Sequence, residues 1–158
     1  MAGDRDGSRD RGRDRRPAGG GCLRASGRVH RFGDDVNTDV IIAAQHKASA
    51  LDIATMARHT FEDIDPDFVD RVRPGDLVVA GRNFGCGSSR ETAPRVLSAC
   101  GVAAVVAQPF ARIFFRNAIN SGLPVAECDT TGIAAGDELV LDLDAGYLEA
   151  AGTRRRVD

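Results

Sequence analysis

Gly81-Arg82-Asn83-Phe84-Gly85-Cys86-Gly87-Ser88-Ser89-Arg90-Glu91 decides the fold, because it packs three glycines and two serines between an apolar strand and a helix. Upstream, Pro74-Gly75-Asp76 turns the chain into Leu77-Val78-Val79-Ala80, a short β-branched run that reads as a buried strand. Downstream, Arg90 to Cys100 has helical spacing, with Val96, Leu97 and Cys100 on one side and Gly101 as the stop. A glycine-rich turn from a strand end into a helix N-terminus gathers backbone N–H donors and the positive end of the helix dipole around one small volume. That volume suits a carboxylate or a phosphate. The phosphate-loop reading fails on a detail, since no G-K-[ST] is present and the sole lysine of the chain is Lys47.

Working outward, the same alternation of strand and helix repeats. Val102 to Ala107 is a continuous apolar run bounded by Gly101 and Pro109, the mark of a strand covered on both faces. Phe110 to Ser121 follows with helical spacing, and Gly122 offers the left-handed position that ends a helix before Pro124. Toward the N-terminus, Arg24 to Phe32 reads as a first strand, followed by the polar turn Gly33 to Asp39. Val40 to Ala44 is too short and too β-branched to read as a helix. A helix is expected from Ser49 or Ala50 to about Thr60, and a short one from Pro66 to Val72 with Phe68, Val69 and Val72 inward. Near the C-terminus, Glu138 to Leu143 and Tyr147 to Glu149 flank Asp144-Ala145-Gly146 as a hairpin. The fold class is therefore α/β, a mixed, partly parallel sheet or partial barrel with flanking helices.

A chain of 158 residues is one domain by length and can bury a substantial core. Residues 1–21 carry six Arg and four Asp among Gly, Ser, Pro and Ala, so they are expected to form a disordered tail ahead of a domain spanning 22–158. The mixed signs of that tail cancel most of its field, which argues against a nucleic-acid partner. No apolar run is long enough for a signal peptide or a membrane span, and a cytoplasmic protein is expected. Cys22, Cys86, Cys100 and Cys128 lack any C-x-x-C spacing, which argues against a zinc knuckle or a locally bound iron–sulfur cluster. Cys100 reads as core, and Cys86 is the one thiol whose place in the glycine turn invites chemistry.

Several residues admit two readings. Ser88 and Ser89 are either the caps of an S-x-x-E box closed by Glu91, or a base or nucleophile held at the helix start. Pro94 bears on the choice, because it interrupts a helix begun at Ser88 and suits one begun near Thr92. Arg90 either holds a substrate carboxylate or pairs with a loop carboxylate to brace the turn. Asn37-Thr38-Asp39 either presents Asp39 to an active site or makes an Asx-type turn. Arg112 and Arg116, one helical turn apart, form a cationic patch or a solvated face. His46 and His59 have no spacing that suggests a metal site.

Gly33 to Ile42, Gly81 to Glu91 and Gln108 to Asn117, in that order and spacing, resemble the small subunit of 3-isopropylmalate dehydratase. The resemblance extends to homoaconitase small subunits and to the C-terminal domain of aconitase, and covers roughly Gly27 to Asp144. It implies a swivelling β/β/α domain and a hydro-lyase half-enzyme. In such an enzyme, water leaves a 2-hydroxy di- or tricarboxylate and returns at the neighbouring carbon, here in leucine biosynthesis. The implied partner is a large subunit whose [4Fe–4S] cluster acts on the leaving hydroxyl, with no cofactor or metal bound by this chain. Ser88 matches the family's serine base, Arg90 its carboxylate-binding arginine, and Asp39 its active-site aspartate. Ser89, with Gly87 and Cys86, matches the substrate-binding turn.

Two departures bear on specificity. Thr92 stands where the family commonly has His. At the place where relatives carry a discriminating residue, the chain reads Lys47-Ala48. Ala48 favours a branched aliphatic substituent, whereas Lys47 offers a cation for an extra carboxylate. The alternatives implied are a homoaconitase or an alkylmalate dehydratase small subunit, and, from another class, a non-catalytic anion-binding regulatory module.

Overall fold

The computed structural model describes residues 24–43, 52–87, 91–150 and 153–157. The expectations for residues 1–21, Lys47, Ala48, Ser88, Ser89 and Arg90 fall outside the described residues. Seven strands form one sheet in the order β4-β3-β2-β1-β5-β6-β7. They are β1 (Arg24–Arg31), β2 (Leu77–Val79), β3 (Ala104–Ala107), β4 (Val125–Glu127), β5 (Glu138–Asp142), β6 (Tyr147–Ala150) and β7 (Thr153–Arg156). Among the described residues the helices are α1 (Thr38–Ile41), α2 (Ile53–Ala57), α3 (Phe68–Arg71), α4 (Thr92–Ala99) and α5 (Arg112–Ser121).

β1 is where the sheet changes character. Its C-terminal half pairs in parallel with β2, Val29 opposite Leu77, while Arg24 to Arg28 pair antiparallel with β5. β2, β3 and β4 continue in parallel, and β5, β6 and β7 form an antiparallel meander. Because side chains alternate across a strand, the parallel half has two apolar faces. Val78, Ala80, Val105 and Ala107 share one core with the helices, including Phe68, Val96, Leu97 and Phe114. Leu77, Val79, Ala104, Val106 and Ala126 share the other with Leu139, Leu141 and Leu148 of the meander. Double coverage explains why Leu77–Val79 and Ala104–Ala107 are unbroken apolar runs that are fully buried. At about 1.5–3 kcal/mol for each fully buried aliphatic side chain, these strands anchor the domain. The sheet is thus a half-barrel with helices on one side, as the sequence implies.

Element boundaries differ in instructive ways. The expected helix from Ser49 begins instead at Ile53, because Asp52 accepts the Thr55 N–H at 2.8 Å and so caps it. Val40 to Ala44, read as non-helical, contributes Val40 and Ile41 to the single turn α1, whose cap is Asn37. α4 begins at Thr92 rather than Arg90, and Pro94 lies in its first turn, where no intrahelical N–H is required. The Asp65-Pro66 helix shortens to Phe68–Arg71, with Phe68 fully buried and Val69 and Val72 partly so. β4 and β7 carry no readable alternation: one has three residues, and the other is the arginine-rich sheet edge Thr153–Arg156.

Candidate functional site

The loops after β1, β2 and β3 leave the carboxyl edge of the parallel half together, the edge where open α/β sheets place ligands. The first two are laced rung by rung. Gly81 N–H donates to Gly33 O at 3.1 Å, and Arg82 N–H donates to the Asp34 carboxylate at 2.8 Å. Asp35 N–H then donates to Arg82 O, and Gly85 N–H to Val36 O, at 2.8 and 2.7 Å. Thr38 N–H completes the ladder on Cys86 O at 2.8 Å. Asp35 and Asn83 both take left-handed φ, 56° and 60°, and join side chain to side chain at 3.0 Å. Asp and Asn tolerate that conformation better than other non-glycine residues.

The third loop laces the other side. Gln108 N–H donates to Gly81 O, Asn83 N–H to Pro109 O, and Ala111 N–H to Phe84 O, at 3.0, 2.7 and 3.0 Å. Beneath lies an aromatic floor in which Phe84 meets Phe114 edge-on at 5.2 Å and Phe110 stacks on Phe114 at 5.9 Å. Gly85, at φ 88°, rests so closely on Phe114 that a Cβ there would collide with its Cβ and Cγ. The glycine turn is therefore held from both flanks and from below.

This arrangement places the described site residues as follows. Asp39 is exposed in the first turn of α1, and its N–H donates to Asn37 Oδ1 at 2.7 Å, so the Asx turn and the presentation of Asp39 coexist. Gly87 is exposed at φ 94°, and half-buried Cys86 precedes it. Glu91 is the N-cap of α4 by position and its side chain accepts none of the first-turn amides of that helix, while the Ser88 end of the S-x-x-E box lies outside the described residues. The Thr92 hydroxyl is buried and finds no hydrogen-bond partner among the described residues. Arg112 and Arg116 are exposed on α5, which starts at the same edge, and Ile113 between them is 50 % exposed. With the N-terminal ends of α4 and α5 at one edge, the helix dipoles there favour an anion, and the exposed Asp39 carboxylate follows the β1 loop at the same edge.

The remaining polar groups hold structure together. Asp76 is buried beside His30, whose Nε2 lies 2.7 Å from its carboxylate, and also accepts the Arg73 and Arg28 N–H groups at 3.0 and 3.3 Å. Burial pushes the Asp76 carboxyl up, but the hydrogen bonds from His30, Arg73 and Arg28 outweigh it and hold the acid below its ordinary value. Burial raises the Cys100 thiol, which donates to Ala57 O, in keeping with its core reading. Cys128 is pushed up to about 11 by burial. His59 follows α2 and sits 2.8 Å from Glu62. The Asp34 acceptor and the double role of Asn37 escape sequence reading. Only the Asx spacing of Asn37 and Asp39 hints at the second.

Residues 38–128 match the aconitase C-terminal domain, a span that contains Asp39, the glycine turn and the start of α5. The chain is 53% identical over 125 residues to the 3-isopropylmalate dehydratase small subunit of Caldicellulosiruptor saccharolyticus, covering 78% of this chain and 72% of that one. It is 52% identical over 126 residues to 3-isopropylmalate dehydratase small subunit 2 of Archaeoglobus fulgidus, covering 80% and 76%. The crystal structure of 3-isopropylmalate dehydratase from Methanocaldococcus jannaschii superposes with a TM-score of 0.82 at 42% identity, over 86% of this chain and 82% of that one. The chain therefore belongs to the aconitase C-terminal domain family, among its 3-isopropylmalate dehydratase small subunits.

Proposed function

We propose that this chain is the substrate-holding half of a 3-isopropylmalate dehydratase that works in the cytoplasm in leucine biosynthesis. The observation that carries the reading is the lacing of the three strand-end loops, which collects the family's motifs at one edge of one domain. Ser88 takes the proton from the carbon next to a carboxylate, and Arg90 pairs with that carboxylate. Ser89, Gly87 and Cys86 form the wall of the turn, and Asp39 faces it from α1. A serine hydroxyl is far too weak an acid to serve as a base unaided. Its alkoxide needs loop amides, the N-terminal dipole of α4 and the Arg90 charge. Fixed anchors on both sides of the 88–90 segment support this, because Cys86 is tied to Thr38 and Glu91 to α4.

The family resemblance also calls for a [4Fe–4S] cluster. Among the described residues, no group of three His, Cys, Asp or Glu side chains is placed to hold a metal ion. We assign the cluster, and with it the departure of the hydroxyl, to a partner large subunit. The small-subunit names of the relatives imply such a partner. No described helix is long and apolar enough to cross a membrane.

Dehydratase assays on the co-expressed pair test the assignment. Ser88→Ala should abolish turnover while the two chains still co-purify; a variant that turns over near the wild-type rate refutes the base. Ala48→Arg should shift kcat/KM toward substrates bearing an added carboxylate, and an unchanged ratio would assign the discrimination to Lys47 or to the partner.

A further inference from the structure

The loop ladder ends at Asn37, which differs from most of its other rungs. Those rungs are mainly backbone to backbone and hold whatever the side chains are. Asn37 instead works through its carboxamide. Its Oδ1 accepts the Asp39 N–H at 2.7 Å. The same carboxamide lies against Gly87, where an added Cβ would sit 2.6–2.8 Å from Nδ2, Oδ1 and Cγ. Its backbone bridges to Cys86, and the next residue donates to Cys86 O. One side chain therefore touches both the residue before Ser88 and the turn that carries Asp39.

We infer that Asn37 is a positioning residue that fixes Asp39 relative to the glycine turn, acting on the reaction only through those two elements. Gly87, at φ 94°, has the backbone freedom of a residue without Cβ, so a packed neighbour is what confines it. Deleting the carboxamide opens a gap against Gly87 and releases the Asp39 amide together. Misplacement of reacting groups by about 1 Å costs on the order of 100-fold in rate. The Oδ1 bond to Asp39 is also an ordinary N-cap, so a purely structural role must be separated from a positioning one.

The inference rests on the dehydratase reading, and Asn37→Gly and Asn37→Asp separate the two. Glycine is tolerated at N-caps almost as well as asparagine, so Asn37→Gly should melt within about 2 °C of wild type. In the assembled two-subunit enzyme, with 3-isopropylmalate as substrate, Asn37→Gly should lower kcat about 10- to 100-fold and change KM less than about threefold. Asn37→Asp keeps the acceptor and the volume, and should stay within about threefold of the wild-type kcat. A kcat for Asn37→Gly within twofold of wild type overturns the inference, as does an Asn37→Asp enzyme as slow as Asn37→Gly at saturating substrate. Amide hydrogen exchange of the full-length chain supplies a readout independent of turnover. The Asp39 amide should exchange about tenfold faster in Asn37→Gly and stay protected in Asn37→Asp. A wild-type complex inactive on 3-isopropylmalate would refute the function, while unchanged exchange at Asp39 would refute the role of Asn37.

Discussion

Replacing Gly85 by Ala tests whether the glycine turn rests on its aromatic floor as described. Two terms add. A non-glycine residue in the left-handed region costs about 1–2 kcal/mol, and Gly85 sits at φ 88°. The new Cβ also drives into Phe114 Cβ, Cγ and Cδ2, and overpacking of that kind costs about 1–3 kcal/mol. The middle of the sum is about 3.5 kcal/mol, which lowers the melting temperature of a domain this size by roughly 7–14 °C. Circular dichroism melts give the shift, and a double-mutant cycle isolates its cause. Phe114→Ala alone should cost about 3–5 kcal/mol, since Phe114 is buried among Phe84 and Phe110. In the double variant Cγ and Cδ2 are gone, so the combined loss should fall short of the sum by at least about 1 kcal/mol. Additivity within about 0.5 kcal/mol would show that the Phe114 ring takes no part in the collision. An unshifted melting temperature for Gly85→Ala would refute the strain and the contact at once.

Other outcomes follow from the buried polar groups. Thr92→Val removes a buried hydroxyl with no hydrogen-bond partner among the described residues and should raise the melting temperature by about 2–4 °C, roughly 1 kcal/mol; a fall would mean that the hydroxyl is satisfied. Asp76→Asn should cost about 1–3 kcal/mol at neutral pH, read from urea melts. The Asp76 carboxyl is held below its ordinary 3.8 in the fold, so its stabilisation is complete above that value and is lost as pH falls through the folded value. The variant should therefore show a flatter acid limb between about pH 5 and pH 2, and an unchanged limb would refute the pairing. Cys128, pushed up to about 11, should be alkylated far more slowly at pH 8 than a free thiol, because only about one molecule in a thousand carries its thiolate.

What could be read in advance depended on whether a feature is local. Leu77–Val79 and Ala104–Ala107 are visible as strands because coverage on both faces leaves no polar position to interrupt them. Gly122 announces the end of α5, at φ 85° as its spacing requires. Pro94 marks the late start of α4 against the capping-box pattern of Ser88 and Glu91, since its missing N–H is compatible only with the first turn. By contrast, the partners of Asp34 and Asn37 lie 48 and 50 positions further along, at Arg82 and Gly87, and no local pattern connects them. The His30 and Asp76 pair is hidden for the same reason, being made by β1 and the residue just before its parallel neighbour β2, which meet only in space. The motifs of the site were legible. The hydrogen bonds that turn them into one object were not.

The two halves of the sheet carry different duties, and that separation is open to test. All three site loops leave the parallel strands, whereas β5, β6 and β7 close the opposite apolar face and, among the described residues, contribute none to the carboxyl edge. Arg154 on β7 lies over the Tyr147 ring at 4.1 Å and 3.7 Å from Glu149, in a largely exposed setting. Arg154→Ala should therefore cost no more than about 1 kcal/mol of stability and leave kcat of the assembled enzyme unchanged. If turnover fell tenfold with the melting temperature held, the antiparallel half would have to act on the reaction, and the placement of the whole site on the parallel edge would be wrong. The same comparison with Asn37→Gly, where turnover falls and stability holds, would then separate the residues that build the domain from those that aim its loops.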